Sequence, residues 1–243
     1  MKYNVIGENN DKVLVFINGG GLGYWMWDKQ KELSKTYKCI LFDFPGHGEN
    51  VDSEFTTLDD LVEEIKKIIE KESENKKAIW VGLSIGAQTV MNGIMKAPEY
   101  IEKAVIISGL NNEVKINKGL MNFSISMIFP LIKYRWWAKL QSKQFSLPDE
   151  YFNKYYEGSK IVSKKTLLNV MNENMSFEFK NLSNFKGETI ILVGKKEIKS
   201  MHRSAKKIAD SIENSKLIIF ENSGHGIPYE EPERLNRLLN ELI

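Results

Sequence analysis

Ala78-Ile79-Trp80-Val81-Gly82-Leu83-Ser84-Ile85-Gly86-Ala87-Gln88-Thr89-Val90-Met91-Asn92-Gly93-Ile94-Met95 is the stretch from which the rest of the chain can be read. Ala78 to Val81 is a short, β-leaning apolar run, whereas Ala87, Val90, Met91, Ile94 and Met95 recur at helical spacing. Between them a serine stands between two glycines. On a sharp strand-to-helix turn, G-x-S-x-G is the pattern of an exposed nucleophile. The turn brings the backbone close to its neighbours, so a Cβ at either glycine would clash, and the strained serine is pushed outward. Plain strand–turn–helix units carry the same pattern, so its meaning depends on what surrounds it.

Around this stretch, apolar runs alternate with helical patterns. Val13–Ile17, Cys39–Asp43, Ala78–Val81, Ala104–Ser108, Thr189–Val193 and Leu217–Phe220 read as strands. Continuous apolar runs without strict alternation suit parallel strands covered on both faces. From Thr57 to Glu74, Leu58, Leu61, Val62, Ile65, Ile68 and Ile69 share one helical face. Thr56-Thr57 followed by Asp59-Asp60 suits the N-cap and acidic first turn of that helix. Ser200–Ser211 and Pro232–Leu242 are further amphipathic helices. The expected fold is α/β, a mostly parallel, doubly wound sheet flanked by helices. Between residues 110 and 186 no strand is predicted, and large side chains such as Phe123, Trp136, Trp137, Tyr151 and Tyr155 are frequent. So long a gap reads as a helical insertion, which gives a core of residues 1–109 and 187–243. Most of its aromatic residues are expected to pack the insertion against that core.

A chain of 243 residues can bury a sizeable core as one domain with an insertion. Its 42% hydrophobic and 27% charged residues are ordinary for a soluble globular protein. The net charge of +2 gives no whole-chain reason to expect binding to nucleic acid or an anionic membrane. Cys39, the single cysteine, sits in an apolar run and reads as a buried, inert thiol. Leu120 to Ile132 is too short and too interrupted to span a bilayer. With no basic segment and apolar stretch at the start, the expectation is a cytoplasmic protein.

A serine hydroxyl needs a base to take its proton, and the base needs a third group to orient it. Among the three histidines, His202 reads as a surface helix residue and His47, in Pro45-Gly46-His47-Gly48, as a loop-structuring one. His225 lies in Ser223-Gly224-His225-Gly226 just past the last strand, and ligands and catalysis gather at the carboxyl ends of parallel strands. Glu197 follows the strand Thr189–Val193 and would emerge at the same edge. Glu113 and Asp43 are weaker rivals: Asn111 and Asn112 lie nearer the strand end than Glu113, and Asp43 is expected to fix its own turn. Acyl chemistry also needs donors aimed at a developing oxyanion. The glycine-rich loop Asn18-Gly19-Gly20-Gly21-Leu22-Gly23 can bring backbone N–H groups close to a substrate, and the N–H of Ile85, next to the serine, is its natural partner. The loop lacks the spacing and G-K-[ST] ending of a phosphate cradle.

These pieces together resemble the α/β-hydrolase superfamily, in its single-domain, cap-bearing serine hydrolase branch. The glycine loop resembles that family's H-G loop, including a tryptophan nine residues on, here Trp27. Asp43-Phe44-Pro45-Gly46-His47-Gly48 resembles its D-x-P-G-H-G segment, and Ser223-Gly224-His225-Gly226 with Glu231-Pro232 resembles its catalytic-histidine segment. The resemblance implies an α/β-hydrolase fold with residues 110–186 as a helical cap. It also implies catalytic Ser84, Glu197 and His225, and oxyanion donors at the N–H groups of Gly20, with Gly21 as the alternative, and Ile85. Two departures stand out: Asn18 replaces the usual loop histidine, and Glu197 stands where aspartate is commoner. Relatives that attack epoxides or haloalkanes use aspartate at the elbow, where this chain has serine.

The expected activity is cleavage of an ester, thioester or similar acyl bond in a small-molecule substrate, with no cofactor and no metal. Two other readings fit the same residues. One keeps the triad but cleaves or eliminates at carbon. The other is a ligand-sensing protein on this scaffold with slow turnover.

Overall fold

The computed structural model describes residues 1–111, 117–179 and 182–242. Seven strands form one sheet: β1 (Asn4–Ile6), β2 (Val13–Ile17), β3 (Lys38–Leu41), β4 (Ala78–Leu83), β5 (Ile101–Ile107), β6 (Thr189–Gly194) and β7 (Ser215–Phe220), in the order β1-β3-β2-β4-β5-β6-β7. Strands β2 to β7 pair in parallel, so their carboxyl ends form one edge. The six predicted strands are all present, with β5 beginning three residues earlier than its apolar run. One strand was not predicted. β1 pairs antiparallel with β3, Asn4 opposite Leu41 and Ile6 opposite Cys39, and its three half-buried residues are too few to show a period.

Alternation within the buried strands feeds two cores. Val13, Val15 and Ile17 face α1 (Leu58–Glu72), α2 (Ile85–Lys96) and α7 (Lys199–Ser211), joining Ile65, Val90 and Ile208. Leu14 and Phe16 face the other way, onto a 3₁₀ helix at Tyr24–Lys35 and the terminal α9 (Pro232–Leu242), joining Trp27, Leu235 and Leu239. The predicted cap of α1 is made: Thr57 Oγ1 accepts the Asp60 N–H at 3.1 Å. Cys39 is fully buried, and burial pushes its thiol pKa up to about 12. That excludes an exposed, reactive thiolate at neutral pH.

Between β5 and β6 the described residues form α3 (Lys118–Ile128), α4 (Arg135–Gln144), α5 (Phe152–Ile161) and α6 (Lys164–Ser176). Asn112 and Glu113 lie outside the described residues. α6 reaches the ends of two core helices: Glu173 Oε2 accepts the Leu58 N–H at 2.9 Å, and Gln88 Nε2 donates to the Asn174 carbonyl at 3.0 Å. Tyr151 stacks on Trp25 with ring centroids 5.4 Å apart. The expected packing of the large side chains holds for only some of them. Tyr151 and Tyr155 are buried, but Phe123, Met127, Tyr134 and Trp136 are more than half exposed. Helical spacing identifies an apolar stripe without saying whether a neighbour covers it. Among the described residues, no helix is long and apolar enough to cross a membrane.

Candidate active site

β4 ends and α2 begins on either side of one residue, Ser84, whose backbone sits at φ 58°, ψ −117°. Such a left-handed serine costs on the order of 1–3 kcal/mol and persists only where the surroundings dictate it. Here they do. A Cβ on Gly82 would overlap the carbonyl of Gly86, and one on Gly86 would overlap the carbonyl oxygens of Ile17 and Asn18. The elbow is thus pressed against the start of the glycine loop, and only glycines allow it. Two backbone hydrogen bonds lock it: Ser84 N–H donates to Ile107 O at 2.9 Å, and Ser84 O accepts from Gln88 N–H at 3.0 Å. The serine is half-buried.

Ile85 is the first residue of α2, so its N–H belongs to the set that a helix leaves unbonded at its positive end. Gly20 lies beside it: a Cβ there would fall 3.5 Å from Ile85 Cγ2 and 3.6 Å from Val170 Cγ1 of α6. Asn18, fully buried, organises this loop from below. Its Oδ1 accepts the indole N–H of Trp27 at 3.0 Å, and its Nδ2 donates to Phe42 O at 2.8 Å.

Glu197 and His225 meet across the loops after β6 and β7. His225 Nδ1 and Glu197 Oε1 are 2.9 Å apart. A carboxylate only accepts, so Nδ1 donates to it, which in the neutral tautomer leaves the lone pair on Nε2. The Glu197 side chain is 7% exposed and that of His225 22%. Burial raises the Glu197 pKa, but the hydrogen bond and charge of His225, with smaller contributions from Ser108 and His202, outweigh it and hold the carboxyl below its ordinary range. The buried Ser108 hydroxyl lies beside this carboxylate without meeting hydrogen-bond geometry. Ser108, just past β5, has φ 50°, its N–H held by Leu192 O at 2.9 Å. The two loops are tied together by Lys196 N–H donating to Ser223 O at 3.0 Å and Lys195 N–H to Phe220 O at 2.9 Å.

Glu230 escaped the sequence reading. It ends the short helix α8 (Ile227–Glu230), and its Oε2 accepts both the Gly224 N–H (2.9 Å) and the Gly226 N–H (3.0 Å), which flank His225. Its neighbour Glu231 accepts from Ser223 Oγ at 2.7 Å. The only local signal was an acid placed a few residues after a Gly-His-Gly turn.

The remaining candidates have structural places. Asp43 fixes its turn, Oδ1 accepting the Tyr24 N–H and Oδ2 the Glu49 N–H, at 2.8 and 2.9 Å. His47 is buried, bonds Pro45 O through Nδ1 at 3.1 Å, and is held below its ordinary pKa by that burial. His202 is half-buried on α7. A cleft of about 430 Å³ lies between the glycine loop and α5, but its lining includes neither Ser84 nor His225.

Residues 14–238 match the model described as the alpha/beta hydrolase family. The AB hydrolase superfamily protein YisY of Bacillus subtilis is 26% identical over 247 residues, covering 93% of this chain and 89% of that protein. A pimeloyl-[acyl-carrier protein] methyl ester esterase of Vibrio cholerae is 24% identical over 107 residues, which is 44% of this chain but only 39% of the esterase. A hydrolase of Pseudomonas aeruginosa superposes with a TM-score of 0.83 at 18% identity, over 98% of this chain and 92% of that one. At that identity the match shows the shared fold.

Proposed function

Since the chain belongs to the alpha/beta hydrolase family, we propose that it is a serine hydrolase cleaving a carboxylic ester, thioester or similar acyl bond through an acyl-enzyme on Ser84. The observation that carries this reading is the hydrogen-bonded Glu197–His225 pair at the sheet edge where the left-handed Ser84 stands. His225 Nε2 takes the hydroxyl proton as Ser84 Oγ attacks the substrate carbonyl. The N–H groups of Gly20 and Ile85 receive the oxyanion; one such donor is worth about 10²–10³ in rate. Collapse expels the alcohol or thiol, which takes the proton from His225. Water then attacks the acyl-enzyme with His225 as base, releasing the acid and regenerating Ser84. Glu197 orients the imidazole and balances its transient charge.

We assign residues 110–186 as a cap over this site, on a core of 1–109 and 187–243. Its support is the placement of Val170 beside Gly20 and of α6 against α1 and α2. The ester preference draws on the Vibrio cholerae relative, whose name places it among methyl ester esterases. The test is labelling with a fluorophosphonate probe alongside turnover of p-nitrophenyl acyl esters. Wild type labels and turns over; Ser84→Ala does neither. Labelling that persists in Ser84→Ala overturns the assignment.

A further inference from the structure

We propose that the exposed apolar side chains of α3 and α4 dock this protein on an anionic lipid surface. Seven of the twelve large hydrophobic side chains that stand exposed among the described residues fall between Leu120 and Leu140. On α3, Leu120, Phe123 and Met127 follow one another at i, i+3 and i+7, so they form one stripe, and each is about two-thirds exposed. On α4, Trp136 and Leu140 are one turn apart and also exposed, with exposed Tyr134 just before them. Such a concentration marks an interaction site rather than the scattered exposure found on any surface.

Charge follows the same boundary. Residues 117–148 contain Lys118, Lys133, Arg135, Lys139 and Lys143 and no aspartate or glutamate. Elsewhere the chain has 29 basic against 32 acidic residues, so the near-neutral total conceals a basic segment in an otherwise slightly acidic chain. Lys139 turns to Asp149, and Arg135 lies over the Phe152 and Tyr156 rings. Lys133 and Lys143 are exposed.

Three occupants compete, and the chemistry favours one. A second copy docking through the same side chains would bring the exposed Lys133 and Lys143 against like charges. An acidic protein would satisfy the charge but would need a groove shaped to receive side chains that project this far. A bilayer needs no matched groove. Leucine, phenylalanine and methionine enter the acyl boundary, tryptophan and tyrosine sit at the headgroups, and lysines meet anionic phosphates.

Flotation of the purified protein with vesicles of phosphatidylcholine alone, or of phosphatidylcholine with phosphatidylglycerol, decides it. Wild type should float with the anionic vesicles, bind neutral ones weakly, and lose binding as salt rises. Lys133→Glu with Lys143→Glu should weaken partitioning at least about tenfold, and Phe123→Ser with Met127→Ser comparably, while melting curves confirm that both fold. Equal binding by wild type and both variants overturns the proposal, as does absence of vesicle binding. A salt-sensitive dimer in light scattering without vesicle binding gives the face to a second copy, and capture of an acidic protein without vesicle binding gives it to a protein; either overturns the lipid assignment.

Discussion

Asn18 and Trp27, nine residues apart, are joined by a 3.0 Å hydrogen bond from the indole Nε1–H to the amide oxygen, and both are fully buried. The other end of the amide donates to Phe42 O, so one side chain links the ends of β2 and β3 and the 3₁₀ helix. An asparagine thus braces the glycine loop where the resembled family has a histidine. Asn18→Ala would leave a buried indole N–H and a buried carbonyl without partners, at a cost of about 2–3 kcal/mol. The expected result is a melting temperature ~5–10 °C lower by differential scanning fluorimetry. An unchanged melting temperature would show that water replaces the amide.

Glu230 acts on His225 through the backbone. By accepting from both flanking glycines it fixes where the imidazole sits without touching it. Glu230→Ala should lower kcat by about 10–100-fold through misplacement of the base, with KM for a small ester nearly constant. Glu230→Gln keeps an acceptor oxygen in place and should recover most of that loss. Stopped assays over a range of ester concentrations separate the two parameters.

The strain at Ser84 has an energetic counterpart that can be measured. Glycine takes φ 58° without penalty, so Ser84→Gly should stabilise the fold by about 1 kcal/mol and raise the melting temperature ~2–4 °C. The same change removes the nucleophile, so a more stable but inactive protein is the expected pair of outcomes. A lower melting temperature would mean that the hydroxyl supports the elbow.

Glu197 sets an acid limit. Its folded pKa is depressed, chiefly by His225 working against burial, so the unfolded chain binds its proton more readily. Its contribution to stability is therefore fully present above the ordinary glutamate pKa of about 4.3 and is lost as pH falls through the lowered folded value. The melting-temperature difference between wild type and Glu197→Gln should be widest near neutrality and close below about pH 4. At neutral pH, Glu197→Gln should cost about 10³–10⁴ in kcat, because the amide no longer fixes the tautomer and charge of His225.

Much of this arrangement is written locally. Buried parallel strands need continuous apolar runs, so β2 to β7 announce themselves, and the elbow requires glycines at two fixed positions. The Glu197–His225 pair follows from strand order once both residues are seen to follow strands. β1 has three half-buried residues and no period to read. The grip of Glu230 on two backbone N–H groups and the left-handed turn of Ser108 arise only when distant loops close. For α3 the stripe Leu120, Phe123, Met127 is plain in the sequence. That no described residue covers it is a property of its neighbours.

The sheet order has a consequence for how this protein is made. The serine, its elbow and the glycine loop come from the first half of the chain, whereas the glutamate and the imidazole come from the loops after the last two strands. A ribosome therefore delivers Ser84 long before His225: more than half the chain's length separates them. On the proposed mechanism, Ser84 gains its base only once β7 and the loop after it have emerged, when the molecule is nearly complete.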